Sequence, residues 1–339
     1  MRGRLLLGLV VLNAVLLGLG AARKRSDATA EKRVRVGLVL DIGGLGDKSF
    51  NDAAWRGLQR AEAELDVETR FIEPGDGSDR ESAVRQLAAG GYDLVVGVGF
   101  IFTDDLRAAA ARFPGVRFAC VDFSVVPGAP PIPPNLLALR FREEQGSYLV
   151  GALAALVSRS KIVGFVGGMD IPLIRKFEAG YRAGVAAVCP DCRVLAAYAG
   201  TDPKAFADPT TGKELALAQI DRGADVVYHA AGKTGAGVLG AAEARKKLAI
   251  GVDSDQFHEA PCCVLTSMVK RVDVAVYDTI RAVAEGRFRG GVRELGLAEG
   301  GVGYVYDDRN KQWIPDAVRA RVEALRARII AGEIEVPSK

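Results

Sequence analysis

The chain has 339 residues, 49% of them hydrophobic and 26% charged, which excludes a disordered or fibrous protein and leaves room for about two globular domains. Its formal net charge of +3 is local in origin: residues 1–33 hold seven of the 45 basic and two of the 42 acidic residues, so the remainder is slightly acidic. No basic cluster with interleaved aromatics occurs, and no nucleic-acid partner is expected.

Arg2 and Arg4 precede an apolar run from Leu5 to Ala22, interrupted only by the strongly polar Asn13. Eighteen residues lie at the margin between the apolar part of a signal peptide and a short membrane-spanning helix. Arg23 to Arg33 then reads as a basic, low-complexity linker. Cleavage near Gly20 to Ala22 and retention as an anchor are both open. In either case the rest of the chain is exported, to the periplasm or the outer face of the cell membrane.

The body opens with VGLVLDIGGLGDKSFN, Val36 to Asn51. Val36 to Leu40 is β-branched and apolar without alternation, the pattern of a strand buried on both faces of a parallel sheet. Asp41 ends it, and a turn with Gly43, Gly44 and Gly46 follows. Asp47 and Ser49 offer oxygens to the free amides of a helix, with Asp52 three residues beyond Ser49, close to a capping box. Phe50, Ala53, Ala54, Gly57, Leu58, Ala61 and Leu65 form one apolar stripe of that helix, and Trp55 packs on it. Asp41 and Phe50 therefore stand at the carboxyl end of a first strand, where open α/β sheets bind ligands.

Strands are expected at Val67 to Ile72, Leu94 to Gly99 and Val116 to Asp122, with a helix over Asp79 to Ala89 capped by Ser78. The loop Pro127 to Pro134 punctuates the chain. A helix from Glu144 to Val157 is apolar almost all round and so buried. A second set of alternations follows: strand Lys161 to Gly167, helix Leu173 to Val188, strand Val194 to Ala199, helix Gly212 to Arg222, strand Val226 to Ala231, helix Thr234 to Lys246 and strand Leu248 to Val252. The fold class is α/β, with two Rossmann-like lobes, each built on a parallel sheet.

Three strands end in acids, Asp41, Asp122 and Asp253, which can accept strong, charge-assisted hydrogen bonds from ligand hydroxyls or amines. Phe50 is a candidate for stacking on a ring, worth about 1 kcal/mol beyond burial. Gly232 and Gly235 suit a close backbone approach to a ligand at a helix start. AAGKTGAG, Ala230 to Gly237, imitates the end of a phosphate-binding loop, but Val227 stands where that loop needs glycine, and no GxGxxG follows a strand. No cofactor and no metal are expected. Cys189-Pro190-Asp191-Cys192 closes a helix rather than opening one and reads as a local disulfide. His229 and His258, the only histidines, read as structural. No nucleophile–base pair is visible, so the chain does not read as an enzyme; hydrolysis by an aspartate cluster is the enzyme alternative.

DIGGLGDKSFN followed by Trp55 and Gly57 resembles the opening of the basic membrane protein family of solute-binding lipoproteins, which includes purine nucleoside receptors of ABC importers. The likeness continues in family order through GFVGGMDIPLIRKFEAGYRAG (Gly164 to Gly184), GKELALAQIDRGADVVYHAAGKTGAGV (Gly212 to Val238), IGVDSDQ (Ile250 to Gln256) and LTSMVKRVDVAVYD (Leu265 to Asp278). The resemblance implies a type I periplasmic binding protein fold whose chain crosses between lobes near 140, 253 and 290. That gives a first lobe of 34–140 plus 253–289 and a second of 141–252 plus 290–339, after the segment 1–33. It also implies hinge closure on a nucleoside, purine favoured, and partnership of a monomer with a permease and ATPase subunits.

For the site it implies that Asp253 and Lys270 hold sugar hydroxyls and that Asp41 and Asp122 face the base, with Asn51 in the same motif as Phe50. Phe206 is the second stacking ring, with Phe177 in reserve as a core residue. The family's lipid-bearing Cys is missing, because none precedes Cys120, and Lys233 stands where a small residue is usual. A ligand-sensing module of the same fold is the alternative function.

Overall fold

The computed structural model describes residues 33–75, 79–126 and 128–339, and Val34–Lys339 forms one compact unit. The N-terminal apolar run expected to direct export, its linker to residue 32 and the Ser78 cap lie outside the described residues. Among the described residues no helix is long and apolar enough to cross a membrane.

In chain order the first lobe runs β1 (Val34–Val39), α1 (Phe50–Glu64), β2 (Val67–Ile72), α2 (Arg80–Ala89), β3 (Leu94–Val98), α3 (Thr103–Arg112), β4 (Arg117–Val121) and β5 (Leu136–Phe141). The second runs α4 (Glu143–Val157), β6 (Ile162–Met169), α5 (Pro172–Val188), β7 (Arg193–Gly200), α6 (Pro209–Asp221), β8 (Val226–Ala230), α7 (Gly235–Arg245), β9 (Leu248–Asp253) and β10 (Val264–Lys270). The chain then gives α8 (Val272–Ala284) and β11 (Gly291–Leu295) to the first lobe, and β12 (Val302–Tyr304) and α9 (Asp316–Ile330) to the second.

The first sheet has the order β11-β5-β4-β3-β1-β2 and is parallel throughout. The second has the order β12-β10-β9-β8-β6-β7, with β12 its one antiparallel edge. Continuous apolar runs make the central strands: Val36, Leu38, Val39 and Leu40 are fully buried, as are Leu94, Val95, Val96 and Val98. Such strands need cover on both faces, which the crossover helices supply.

The lobe boundaries differ from the sequence expectation. Asp253 is followed by a connection over 254–263, not a crossing between lobes, and β10 runs parallel to β9 in the second sheet. Residues 254–270 thus belong to the second lobe, and β11 pairs with β5 in the first. The crossings fall next to residues 142, 271 and 296. Two backbone bonds tie neighbouring crossings together: Arg142 N–H donates to Leu295 O at 3.0 Å, and Arg271 N–H donates to Gly301 O at 2.8 Å. No strand is predicted beyond Val252, because LTSMVKR alternates too little to separate a strand from a helix start.

Two glycine contacts set the helix layer. A Cβ on Gly180 of α5 would stand 2.1 Å from Glu144 O of α4, and one on Gly151 of α4 would stand 2.2 Å from Tyr181 O of α5. The two helices touch backbone to backbone, which only glycine permits.

Candidate ligand-binding site

In each sheet the chain order reverses beside the first strand, between β1 and β3 and between β6 and β8. A crevice opens outside the carboxyl ends of strands at such a switch point. Here it forms a cavity lined from both lobes. All eight residues expected from the sequence line it: Asp41, Phe50, Asn51, Asp122, Phe206, Gly232, Asp253 and Lys270.

The turn after β1 is built differently from the expected capping box. Ser49 makes no side-chain cap on α1. Asp47 does that work: Oδ1 accepts from the amides of Ser49 at 2.9 Å and Asp52 at 3.2 Å, and Oδ2 accepts from the Asn51 amide at 2.8 Å. Asp52 in turn accepts from the Gly46 amide at 2.7 Å. The Asn51 side chain is engaged within the turn, since Oδ1 accepts from the Asp41 amide at 2.8 Å and Nδ2 donates to Asp47 at 3.1 Å. Its role in the cavity is to aim Asp41. Burial lifts the Asp41 carboxyl to about 7, against the Ile42 amide that it accepts and with Asp122 and Asp47 adding to the rise.

Asp122, just past β4, and Asp253, the last residue of β9, have left-handed backbone, φ 60° and 62°. An aspartate tolerates this better than most residues, and it swings each carboxylate into the cavity. Lys270, only 2% exposed, donates from Nζ to Asp122 Oδ2 at 2.6 Å and lies 3.1 Å from Glu143 Oε1. Burial opposes the charge on Lys270, but Asp122, Glu143 and Asp253 together hold it protonated above its ordinary range. Asp253 Oδ2 accepts from Ser49 Oγ at 2.6 Å; burial lifts this carboxyl to about 6, with Lys270 and Ser49 pulling the other way. Asp122 Oδ1 is buried without a hydrogen-bond partner. A buried carboxylate oxygen in that condition is ready to accept a donor from a ligand.

The apolar walls are aromatic. Lys270 Nζ lies 5.1 Å from the Phe50 ring centre and 5.7 Å from that of Phe177. Phe206 sits edge-on to Phe100 at 6.5 Å between centres, and its ring covers Gly168, where a Cβ would meet it at 2.3 Å. Thr234 pins this turn beside Gly232, donating to Ala205 O at 2.8 Å and accepting from the Asp208 amide at 2.7 Å. Gly232 has φ 54°, and its backbone approaches Phe206 as well as the cavity.

Phe177, held in reserve as a core residue, is both: it is 3% exposed and lines the cavity. Gly235 does not face the cavity. It makes room for the buried His229 ring, whose Nε2 pairs with Gln256 Oε1 at 2.9 Å. Burial lowers that imidazole to about 4 despite the Gln256 bond, so His229 stays neutral inside the fold. Cys189 and Cys192 form a disulfide, Cys262 and Cys263 pair with each other, and Cys120 is a buried thiol. Phe100, which ends the LVVGVG strand at the same edge as Asp41, lines the cavity too; sequence reasoning missed Glu143 and Lys176. Among the described residues no group of three or more His, Cys, Asp or Glu is arranged to hold a metal ion.

Residues 34–339 match the family model of ABC transporter substrate-binding proteins of the PnrA-like (Bmp) type. The chain is 34% identical to the CD4+ T-cell-stimulating antigen of Listeria innocua, over 99% of this chain and 98% of that one. It is also 34% identical to basic membrane protein A of Borreliella afzelii, over 89% and 91%. A solved structure of an ABC transporter solute-binding protein from Aeropyrum pernix K1 superposes with a TM-score of 0.82 at 34% identity, covering 90% of this chain and 94% of that one.

Proposed function

The chain belongs to the PnrA-like family of ABC transporter substrate-binding proteins, and from that premise we propose that it captures a nucleoside, with purine nucleosides preferred, in the interlobe cavity. The observation that carries this reading is the pairing of aromatic walls with a polar end in one cavity. Phe50, Phe177 and Phe206 offer faces to a flat base, and Asp122, Asp253 and Lys270 gather acceptors and a cation where a sugar would present hydroxyls. Each ring contact is worth about 0.5–1.5 kcal/mol beyond area burial, and bonds to charged groups about 1.5–3 kcal/mol. Because the lining comes from both lobes, a solute that touches both favours the closed arrangement, and binding draws the lobes together.

ABC transporter substrate-binding proteins work with permease and ATPase subunits, and in this reading the chain binds its solute without transforming it. In this reading it meets solute outside the cytoplasmic membrane, as a monomer, and passes it to the permease. The test is calorimetric titration of ligand-stripped protein with adenosine, guanosine, inosine, uridine and ribose. Tight binding of purine nucleosides without release of free base is the expected result. Absence of binding to all five overturns the nucleoside assignment, and release of free base overturns the binding-only role.

A further inference from the structure

Behind the cavity floor lies a row of charges, of which the binding reading uses only Lys270 and Asp122. Lys176 on α5 is not part of the cavity lining. Its Nζ donates to Glu143 Oε2 at 2.5 Å and to Phe141 O at 2.6 Å, and it lies 3.4 Å from Glu144 Oε2. Glu143 turns its other oxygen to Lys270, and Lys270 reaches Asp122 in the cavity. The order is Lys176, Glu143, Lys270, Asp122, alternating in sign. The side chains are 18%, 1%, 2% and 6% exposed. It runs past two crossings: Phe141 and Glu143 flank residue 142, and Lys270 precedes residue 271.

We propose that Lys176 is a positioning residue for ligand binding, which acts through Glu143 to keep Lys270 on Asp122. Glu143 and Asp122 compete for one ammonium group. In so dry a place neither carboxylate can be left without a partner cheaply. With Lys176 on Oε2, half of the demand of Glu143 is met from behind, and Lys270 is free to lean 2.6 Å from Asp122 while keeping 3.1 Å to Glu143. The charge states agree with this division. Burial alone would lift Glu143, but Lys270 and Lys176 together hold it below its ordinary range. Burial, with Glu143 adding to it, keeps Asp122 above its own range although Lys270 and, more weakly, Lys176 pull it down. Without Lys176, Lys270 would move to Glu143, and the cavity would lose both the cation and an ionised Asp122.

The inference rests on the reading that this cavity takes the solute, and two measurements separate the two. In the first, adenosine and guanosine are titrated into the wild type, Lys176→Met, Lys176→Arg and the double variant Lys176→Met/Glu143→Gln. Loss of the outer partner of a metal-ligating side chain costs about 10- to 100-fold in affinity, and a loss of the same order is the expectation for Lys176→Met. Lys176→Arg keeps the charge and part of the affinity. The double variant removes the competitor together with its counter-charge and recovers binding to within a few-fold of wild type. A role in packing alone gives no such rescue. In the second, the Asp122 carboxyl is titrated by carbon NMR without solute. Its midpoint rises in Lys176→Met and falls below wild type in the double variant. Wild-type affinity in Lys176→Met, a double variant as weak as the single, or an Asp122 midpoint indifferent to all changes overturns the proposal. Absence of nucleoside binding by the wild type sinks the nucleoside reading, and the Asp122 titration still decides this one.

Discussion

The two lobes place an aspartate at matching points, and the difference between them is instructive. β4 and β9 occupy the same position in their sheets, and each is followed or ended by an aspartate with left-handed backbone, Asp122 and Asp253. Each is held by the opposite lobe: Asp122 by Lys270 from β10, Asp253 by Ser49 from the start of α1. The grips differ in kind. Asp122 is held by a buried charge that is itself shared with Glu143, while Asp253 is held by a neutral hydroxyl. A charge in a dry site is strong when complete and costly when broken. A hydroxyl bond is modest and leaves the carboxyl free to titrate.

The largest expected effect tests the charged grip. Lys270→Met leaves Asp122 without its cation and Glu143 with Lys176 alone, and urea unfolding should show a loss of about 3–5 kcal/mol. Next, Asp122→Asn keeps a residue that tolerates the left-handed backbone and removes only the charge. Calorimetry should show purine nucleoside binding weaker by about 1.5–3 kcal/mol, the worth of a hydrogen bond to a charged group; equal affinity would place Asp122 outside the contacts. Single Phe50→Ala and Phe206→Ala changes should each cost binding about 0.5–1.5 kcal/mol in ring contact alone, and unchanged affinity in both would remove the stacking proposal.

The neutral grip is tested by pH. The folded value of Asp253, about 6, lies above that of an unfolded aspartate, about 3.9. The folded state therefore holds this proton more tightly. The stability it contributes is complete below about pH 4 and is lost as pH rises through about 6. Asp41, lifted to about 7, works in the same direction. The difference in Tm between wild type and Asp253→Asn should thus change between pH 4 and 7, and a constant difference would show that Asp253 does not titrate there. The smallest effect is Ser49→Ala, about 0.5–1.5 kcal/mol in urea unfolding.

Much of this was legible in the residues. The unbroken apolar runs mark strands covered on both faces, and the acids that end them point to one sheet edge, which is why Asp41, Asp122 and Asp253 meet. What stayed hidden depends on partners far away in the chain. Ser49 looks like a helix cap because capping is a local pattern; its bond to Asp253, 204 residues on, is not. Glu143 and Lys176 look like solvated helix ends, since nothing nearby in sequence says that both are buried against Lys270. The second crossing falls next to residue 271 and not near 253, because β10 follows Asp253 in the same sheet.

The glycine seam between α4 and α5 gives the second lobe its mechanics. α4 begins at the first crossing, and α5 carries Phe177 and Lys176. With backbone resting on backbone at Gly151 and Gly180, the pair has no side-chain layer in which to slip. In the proposed closure, a rotation at residue 142 would be passed through this seam to the wall that Phe177 lines.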